Sequence, residues 1–177
     1  MIIAEAEKSD LPEILNCYMR ANEYMHLHGN PDQWPKGYPD EREALPDLQE
    51  GRLFVIKDNN FICGVFSLFY GNDPTYEHIY EGSWFNDKPY VVIHRLESNG
   101  RVRGIGRAAI NYALTKCSQI RIDTHRDNKT MQNLLDSMGF VYCGKIICHD
   151  GTERLAYQYS ADNESSKQQD GKNEFEG

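Results

Sequence analysis

Apolar and polar positions along this chain fall into stretches of differing period. MIIAEA opens as a short strand. In SDLPEILNCYMRANEYMHLHGN, the apolar residues Leu11, Ile14, Leu15, Tyr18 and Met25 form the stripe of a helix. Ser9 or Asp10 supplies its start, Glu13 a capping-box partner and Gly29 a stop. NPDQWPKGYPD, rich in Pro and Gly, predicts a loop, and EREALPDLQEG a short helix in spite of Pro46. Two apolar runs in RLFVIKDNNFICGVFSLFYG flank Asp58, Asn59 and Asn60, which predicts a β-hairpin.

An irregular aromatic stretch over 72–89 leads into YVVIHRL, which reads as a buried strand. A helix carrying Ile105, Ala109, Tyr112 and Ala113 on one side follows, then the strand QIRIDTH. NKTMQNLLDSMG predicts a further helix, with Met131, Leu134, Leu135 and Met138 at helical spacing and Gly139 as its end. FVYCGKIICHDGTERLAYQYS predicts a hairpin turning at Asp150-Gly151. This order gives an α/β sheet of mixed sense, antiparallel in its first part, with one parallel step across the strands near 93 and 121.

At 177 residues and 40% hydrophobic composition, one domain with a substantial core is expected over 1–159. From residue 160 to 177 the chain turns acidic and polar, which predicts a disordered tail. The net charge of −8 argues against a nucleic-acid partner, and no apolar run is long enough to span a membrane. MIIAEAEKSD does not read as a leader, so a cytoplasmic location is expected. The five cysteines are odd in number and lack a Cys-x-x-Cys pair, which predicts buried thiols rather than disulfides or zinc. His26 and His28 have no third ligand at a recognisable spacing, so no metal is expected.

Against this acidic background, RVRGIGR at 101–107 concentrates three arginines around two glycines at a helix start. Unpaired amides, the helix dipole and close backbone approach suit such a segment to an anion, above all phosphate. No Gly-x-x-x-x-Gly-Lys-Ser/Thr occurs, so a Walker loop is excluded. Gly104-x-Gly106-x-x-Ala109 with Asp123 fits a dinucleotide fingerprint in part. Seven residues, Glu97 to Arg103, separate that fingerprint from its strand, however, and too little chain follows Asp123 for a doubly wound sheet.

Arg101, Gly104 and Gly106 also spell Arg-x-x-Gly-x-Gly. With QIRIDTH, Asn128 and the Gly139-Phe140 pair, they make the chain resemble the GNAT superfamily of acyl-CoA-dependent N-acyltransferases. The resemblance covers all but the tail. It implies an α/β (α+β) fold with a mixed, mostly antiparallel sheet of about six to seven strands and about four helices on both faces. It implies acetyl-CoA as acyl donor, no metal, and an amine acceptor from a small molecule or peptide. A homodimer is a candidate assembly. By the same resemblance, Leu96, Glu97, Arg101, Val102, Arg103, Gly104, Ile105, Gly106, Arg107, Asn128 and Met131 are the cofactor-binding residues.

An amine attacking a thioester needs a neutral nitrogen, a stabilised oxyanion and a leaving thiol. His94 and His125 are the candidate bases, and Glu97 is a third acting through water. A packed strand histidine accounts equally well for His94, and Asp123 and His125 could simply order each other. Where many GNAT members carry a tyrosine acid, this chain has Leu135, which its apolar stripe already explains. The thiolate would then leave unprotonated or take its proton from water. That absence keeps a non-catalytic acyl-CoA-binding module open as the alternative. Trp34, Tyr38 and Trp84 are the candidate acceptor-binding residues, with local packing as their other reading.

Overall fold

The computed structural model describes residues 1–71 and 73–161; the remainder of the expected tail, 162–177, lies outside the described residues. Among the described residues, seven strands form one sheet: β1 (Ile2–Glu5), β2 (Leu53–Asp58), β3 (Phe61–Tyr70), β4 (Val91–Ser98), β5 (Gln119–Thr124), β6 (Val141–Ile147) and β7 (Glu153–Ser160). Their spatial order is β1-β2-β3-β4-β5-β7-β6. Four α-helices of the described residues accompany them: α1 (Leu11–Leu27), α2 (Glu41–Gln49), α3 (Ile105–Leu114) and α4 (Lys129–Ser137). The expected mixed, mostly antiparallel sheet is therefore present. Its one parallel pair is β4 with β5, which removes the doubly wound sheet that a dinucleotide site needs.

Strand alternation sorts the core into layers. On β2, Leu53 and Val55 pack with Ile14, Cys17, Tyr18 and Ala44 of α1 and α2. Phe54 and Ile56 point the other way, into a larger cluster with Ile105, Ala109, Ile110 and Ala113 of α3 and Leu135 of α4. Helices thus cover both faces, and the sheet strands between them are apolar on both sides. Asn59 and Asn60 turn the β2–β3 hairpin at φ 47° and 67°, left-handed values that asparagine tolerates.

Two local expectations change, one at a helix start and one at a hairpin turn. The capping box lies one turn early, between Glu7 and Asp10 of a short 3-10 segment, while Glu13 accepts a hydrogen bond from the Ile62 N–H (3.3 Å). The last hairpin closes through a wider loop than Asp150-Gly151 alone, with Cys148 N–H bonded to the Thr152 carbonyl (2.9 Å). Ser160 belongs to β7, paired with Gln119, so the folded unit runs slightly past the expected boundary at 159.

A bulge in β4 positions the functional region. Val65 pairs with Glu97 and Ser67 with His94, so Arg95 and Leu96 together oppose Phe66. Arg95 takes φ 49°, uncommon for a side chain without special shape. It is held there by an ion pair with Asp47 of α2 and by Ser67. The bend turns β4 away from β5. Their ladder holds at Val91↔Ile120 and Val92↔Arg121 and then stops, which leaves the following edge of β4 without strand partners.

Candidate active site

A cavity of about 550 Å³ opens where β4 leaves β5. Ile93 to Leu96 form one side, and Ile122, Asp123, Asn128 and Met131 the other. The segment 33–38 and the hairpin loop 148–150 border it as well. The sequence candidates His94, Leu96, Asn128, Met131, Trp34 and Tyr38 therefore meet around one space, though they come from three separate parts of the chain.

His94 is fixed in place. Its Nε2 meets Asp73 Oδ2 at 2.6 Å, and its ring packs edge-on to Phe69 with centroids 4.9 Å apart. Tyr76 closes a third side at 6.0 Å. Burial pushes the Asp73 carboxyl up, but the bond and charge of His94 and the Thr75 N–H outweigh it and hold Asp73 at about 2. Sequence reasoning missed Asp73 because it lies in the irregular stretch, 21 positions before its partner.

The segment between α1 and α2 is tied across the cavity by polar side chains. Asn22, buried in α1, donates to the carbonyls of Pro35 (3.0 Å) and Tyr38 (2.8 Å). Arg154 of β7 donates to the Gln33 carbonyl at 3.0 Å. Asn128 uses both ends of its amide: Oδ1 accepts the Met131 N–H (3.0 Å) and caps α4, while Nδ2 donates to Gln33 Oε1 (2.8 Å). The asparagine of the resembled motif is thus engaged within the chain.

Three candidates sit elsewhere. Trp84 stacks on Tyr76 with centroids 5.7 Å apart, and the Arg121 guanidinium lies 4.2 Å from its ring. Its indole donates to the Tyr76 carbonyl (3.1 Å), so it organises the 73–90 segment rather than lining the cavity. His125 lies past the end of β5 and turns aside, its Nδ1 accepting the Asp127 N–H (3.3 Å). Burial and the Arg154 charge hold His125 below the ordinary histidine value. Asp123 does not order it; Asp123 accepts from the Tyr76 hydroxyl at 2.6 Å. The Glu97 side chain is buried beside Cys17 and Tyr18 of α1 and is not among the residues that line the cavity. Burial raises its carboxyl well above the ordinary value.

The glycine loop at the start of α3 lies outside the cavity lining and comes nearest to it at Gly106, beside Leu96. Gly104 is the N-cap at φ 84°, a left-handed conformation that glycine adopts without strain. Nothing stands within 4 Å of where its Cβ would be. The first bond into α3 is from the Ala108 N–H to the Gly104 carbonyl (2.9 Å), ahead of which Ile105, Gly106 and Arg107 lack helical acceptors. Gly106 has a different reason: a Cβ there would meet Leu134 Cδ2 at 2.5 Å, and Leu96 of the cavity at 3.9 Å. Arg101 and Arg103 are exposed beside the loop, and Arg107 donates to the Ser137 hydroxyl at 2.9 Å. Among the described residues no cluster of side chains could hold a metal ion, and no helix is long and apolar enough to cross a membrane.

A family model described as Acetyltransferase (GNAT) family matches residues 11–140. The chain belongs to the GNAT acetyltransferase family. Membership makes it an acetyl-CoA-dependent N-acetyltransferase by class. Among solved structures, a GNAT-family acetyltransferase from Streptococcus agalactiae is 28% identical, with 90% of this chain and 94% of that one covered at a TM-score of 0.81. The protein yncA of Salmonella typhimurium, with its cofactor acetyl-CoA, is 17% identical, with 91% and 94% covered at 0.61. Arabidopsis thaliana Naa50, in complex with a bisubstrate analogue, is 16% identical, with 90% and 97% covered at 0.57. Among curated proteins nothing matches.

Proposed function

We propose that this GNAT protein moves an acetyl group from acetyl-CoA to a primary amine of a small molecule or peptide, by direct attack in a ternary complex. The supporting observation is the union, in one cavity, of a fixed histidine with the β4 edge that β5 has left. The residues fit coenzyme A. The unpaired amides of Ile105, Gly106 and Arg107, with open space over Gly104, form a phosphate cradle at the α3 N-terminus. Arg101 and Arg103 add positive charge there, and Leu96 and Met131 offer apolar contact for the pantetheine arm. Acetyl-CoA would supply the activated acetyl group as its thioester.

Within the cavity, His94 takes the proton from the amine. The new N–C bond forms as the C–S bond breaks, with the electron pair going to sulfur. An unpartnered N–H on the β4 edge polarises the carbonyl. Direct attack is favoured over an acyl-enzyme by the state of Cys148, the cysteine lining the cavity: burial and the nearby Asp123 charge push its thiol up to about 12. Five carboxylates face the space against three guanidinium groups, a balance that draws in an amine as its ammonium. The Trp34 and Tyr38 rings, edge to face at 6.1 Å, wall the acceptor side.

A thiol-release screen tests this reading, with acetyl-CoA presented alongside small amines, polyamines and peptide N-termini. Turnover with one class names the acceptor. His94→Gln is expected to lower kcat about 100-fold or more while calorimetric acetyl-CoA affinity holds. Release of thiol at the wild-type rate from that variant would remove His94 from the mechanism.

A further inference from the structure

The contact between His94 and Asp73 has a chemical consequence that rests on the reading of His94 as the base. Asp73 is nearly enclosed, with 9% of its side chain exposed against 21% for His94. Its two oxygens have separate tasks. Oδ1 accepts the Thr75 N–H at 2.9 Å and so caps the 3-10 turn Pro74–Tyr76, while Oδ2 meets His94 Nε2 at 2.6 Å. An ionised carboxylate has no proton to give, so in this contact the imidazole nitrogen must donate. A neutral imidazole has one N–H. With that proton on Nε2, the lone pair is on Nδ1.

The surroundings leave the ring little freedom to choose otherwise. Phe69 stands at 89° to its plane and Tyr76 at 74°. Tyr76 is itself locked, its hydroxyl donating to Asp123 at 2.6 Å and its ring stacked on Trp84. The packing of Phe69, Tyr76 and Trp84 thus fixes the ring that faces the cavity, and the cap on Thr75 fixes the carboxylate that faces the ring.

We propose that Asp73 is the positioning residue of His94, holding the imidazole as its Nε2–H tautomer so that Nδ1 is the atom that accepts the acceptor amine's proton. In that step the amine N–H bond breaks and the Nδ1–H bond forms. The resulting imidazolium carries both protons, and its positive charge lies against Asp73, which remains a carboxylate throughout. Return of the Nδ1 proton to water restores the starting state.

The experiment uses the full chain, with ¹⁵N in the histidine rings and the His94 signals assigned by their loss in His94→Gln. Ring nitrogen shifts distinguish the two tautomers in wild type without any substrate. The expected result is the Nε2–H form. Asp73→Asn keeps an oxygen for the Thr75 cap but offers an amide donor to Nε2, so the Nδ1–H form is expected to gain population. The same variant is expected to lose about 10–100-fold in kcat. Its calorimetric affinity for acetyl-CoA is expected to stay within about twofold of wild type, since Asp73 lines the cavity and none of residues 101–107 does. A wild-type ring in the Nδ1–H form, or a tautomer unmoved by Asp73→Asn, overturns the positioning role. A tautomer that switches while kcat holds overturns the base role of His94 instead, so the two failures are distinct.

Discussion

Asn128 and Gln33, 95 positions apart, are joined by a 2.8 Å hydrogen bond from Asn128 Nδ2 to Gln33 Oε1. The bond links the start of α4, on the side proposed for the cofactor, to the segment that borders the side proposed for the acceptor. Asn128 has two jobs, and substitutions separate them. Asn128→Ala loses the cap on Met131 as well as the link, and is expected to cost about 0.5–2 kcal/mol of stability. Asn128→Asp keeps the capping oxygen and loses the donor. Its melting temperature is expected to stay near wild type while the KM for the amine rises. Equal kinetics for Asn128→Asp and wild type would show that the link does not shape the acceptor side.

The glycine loop gives a second contrast. Gly104→Val places a β-branched residue at φ 84°, in the space a phosphate would enter, and is expected to abolish acetyl-CoA binding in calorimetry. Arg101→Ala and Arg103→Ala leave the amides in place and remove exposed charge, so their loss of affinity is expected to shrink as salt rises. A Gly104→Val protein that folds and binds with unchanged affinity would mean that the loop does not cradle phosphate.

The regular elements were legible because their signals are local. The pattern LFVIKD sends alternate residues to two helical layers, and the Asn59-Asn60 turn and the glycine ends of helices each act within a few residues. The site was legible where a motif sits on one turn, as at Gly104. It was not legible where register makes the contact. Asp73 meets His94 because β3 ends beside β4, and no spacing in the sequence announces that. Arg95 has a left-handed backbone that arginine does not signal; its ion pair with Asp47 of α2 sustains the bulge from outside the strand. For Trp84 both readings stayed open, because an aromatic residue in an irregular segment has no period to tell packing from ligand contact.

Leu135 occupies the position where many GNAT members carry a tyrosine acid, and it is fully buried against α3 and the sheet. Leu135→Ala is expected to lower stability by about 2–5 kcal/mol in denaturant titration, as for other buried large-to-small changes. Turnover per folded molecule is expected to change little, because the side chain faces the core rather than the cavity. A loss of kcat without a loss of stability would show that the position acts on the chemistry.

Glu97 supplies a pH-dependent test of the β4 bulge. Its carboxyl oxygens are buried without hydrogen-bond partners in the described structure, and burial raises its folded pKa well above the ordinary glutamate value while Arg95 partly opposes the shift. In acid, below the unfolded value of about 4.3, folded and unfolded chains both hold the proton, and Glu97 behaves like a neutral amide. As pH rises past that value, the unfolded chain releases the proton to gain solvation and the folded chain retains it. Stability is therefore lost with rising pH, by up to about 1.4 kcal/mol per unit, until the folded pKa is passed. Glu97→Gln cannot ionise. Its stability is expected to match wild type near pH 4 and to exceed it increasingly toward pH 7. Urea titrations across that range check the prediction, and parallel curves for the two proteins would mean that Glu97 ionises as freely folded as unfolded.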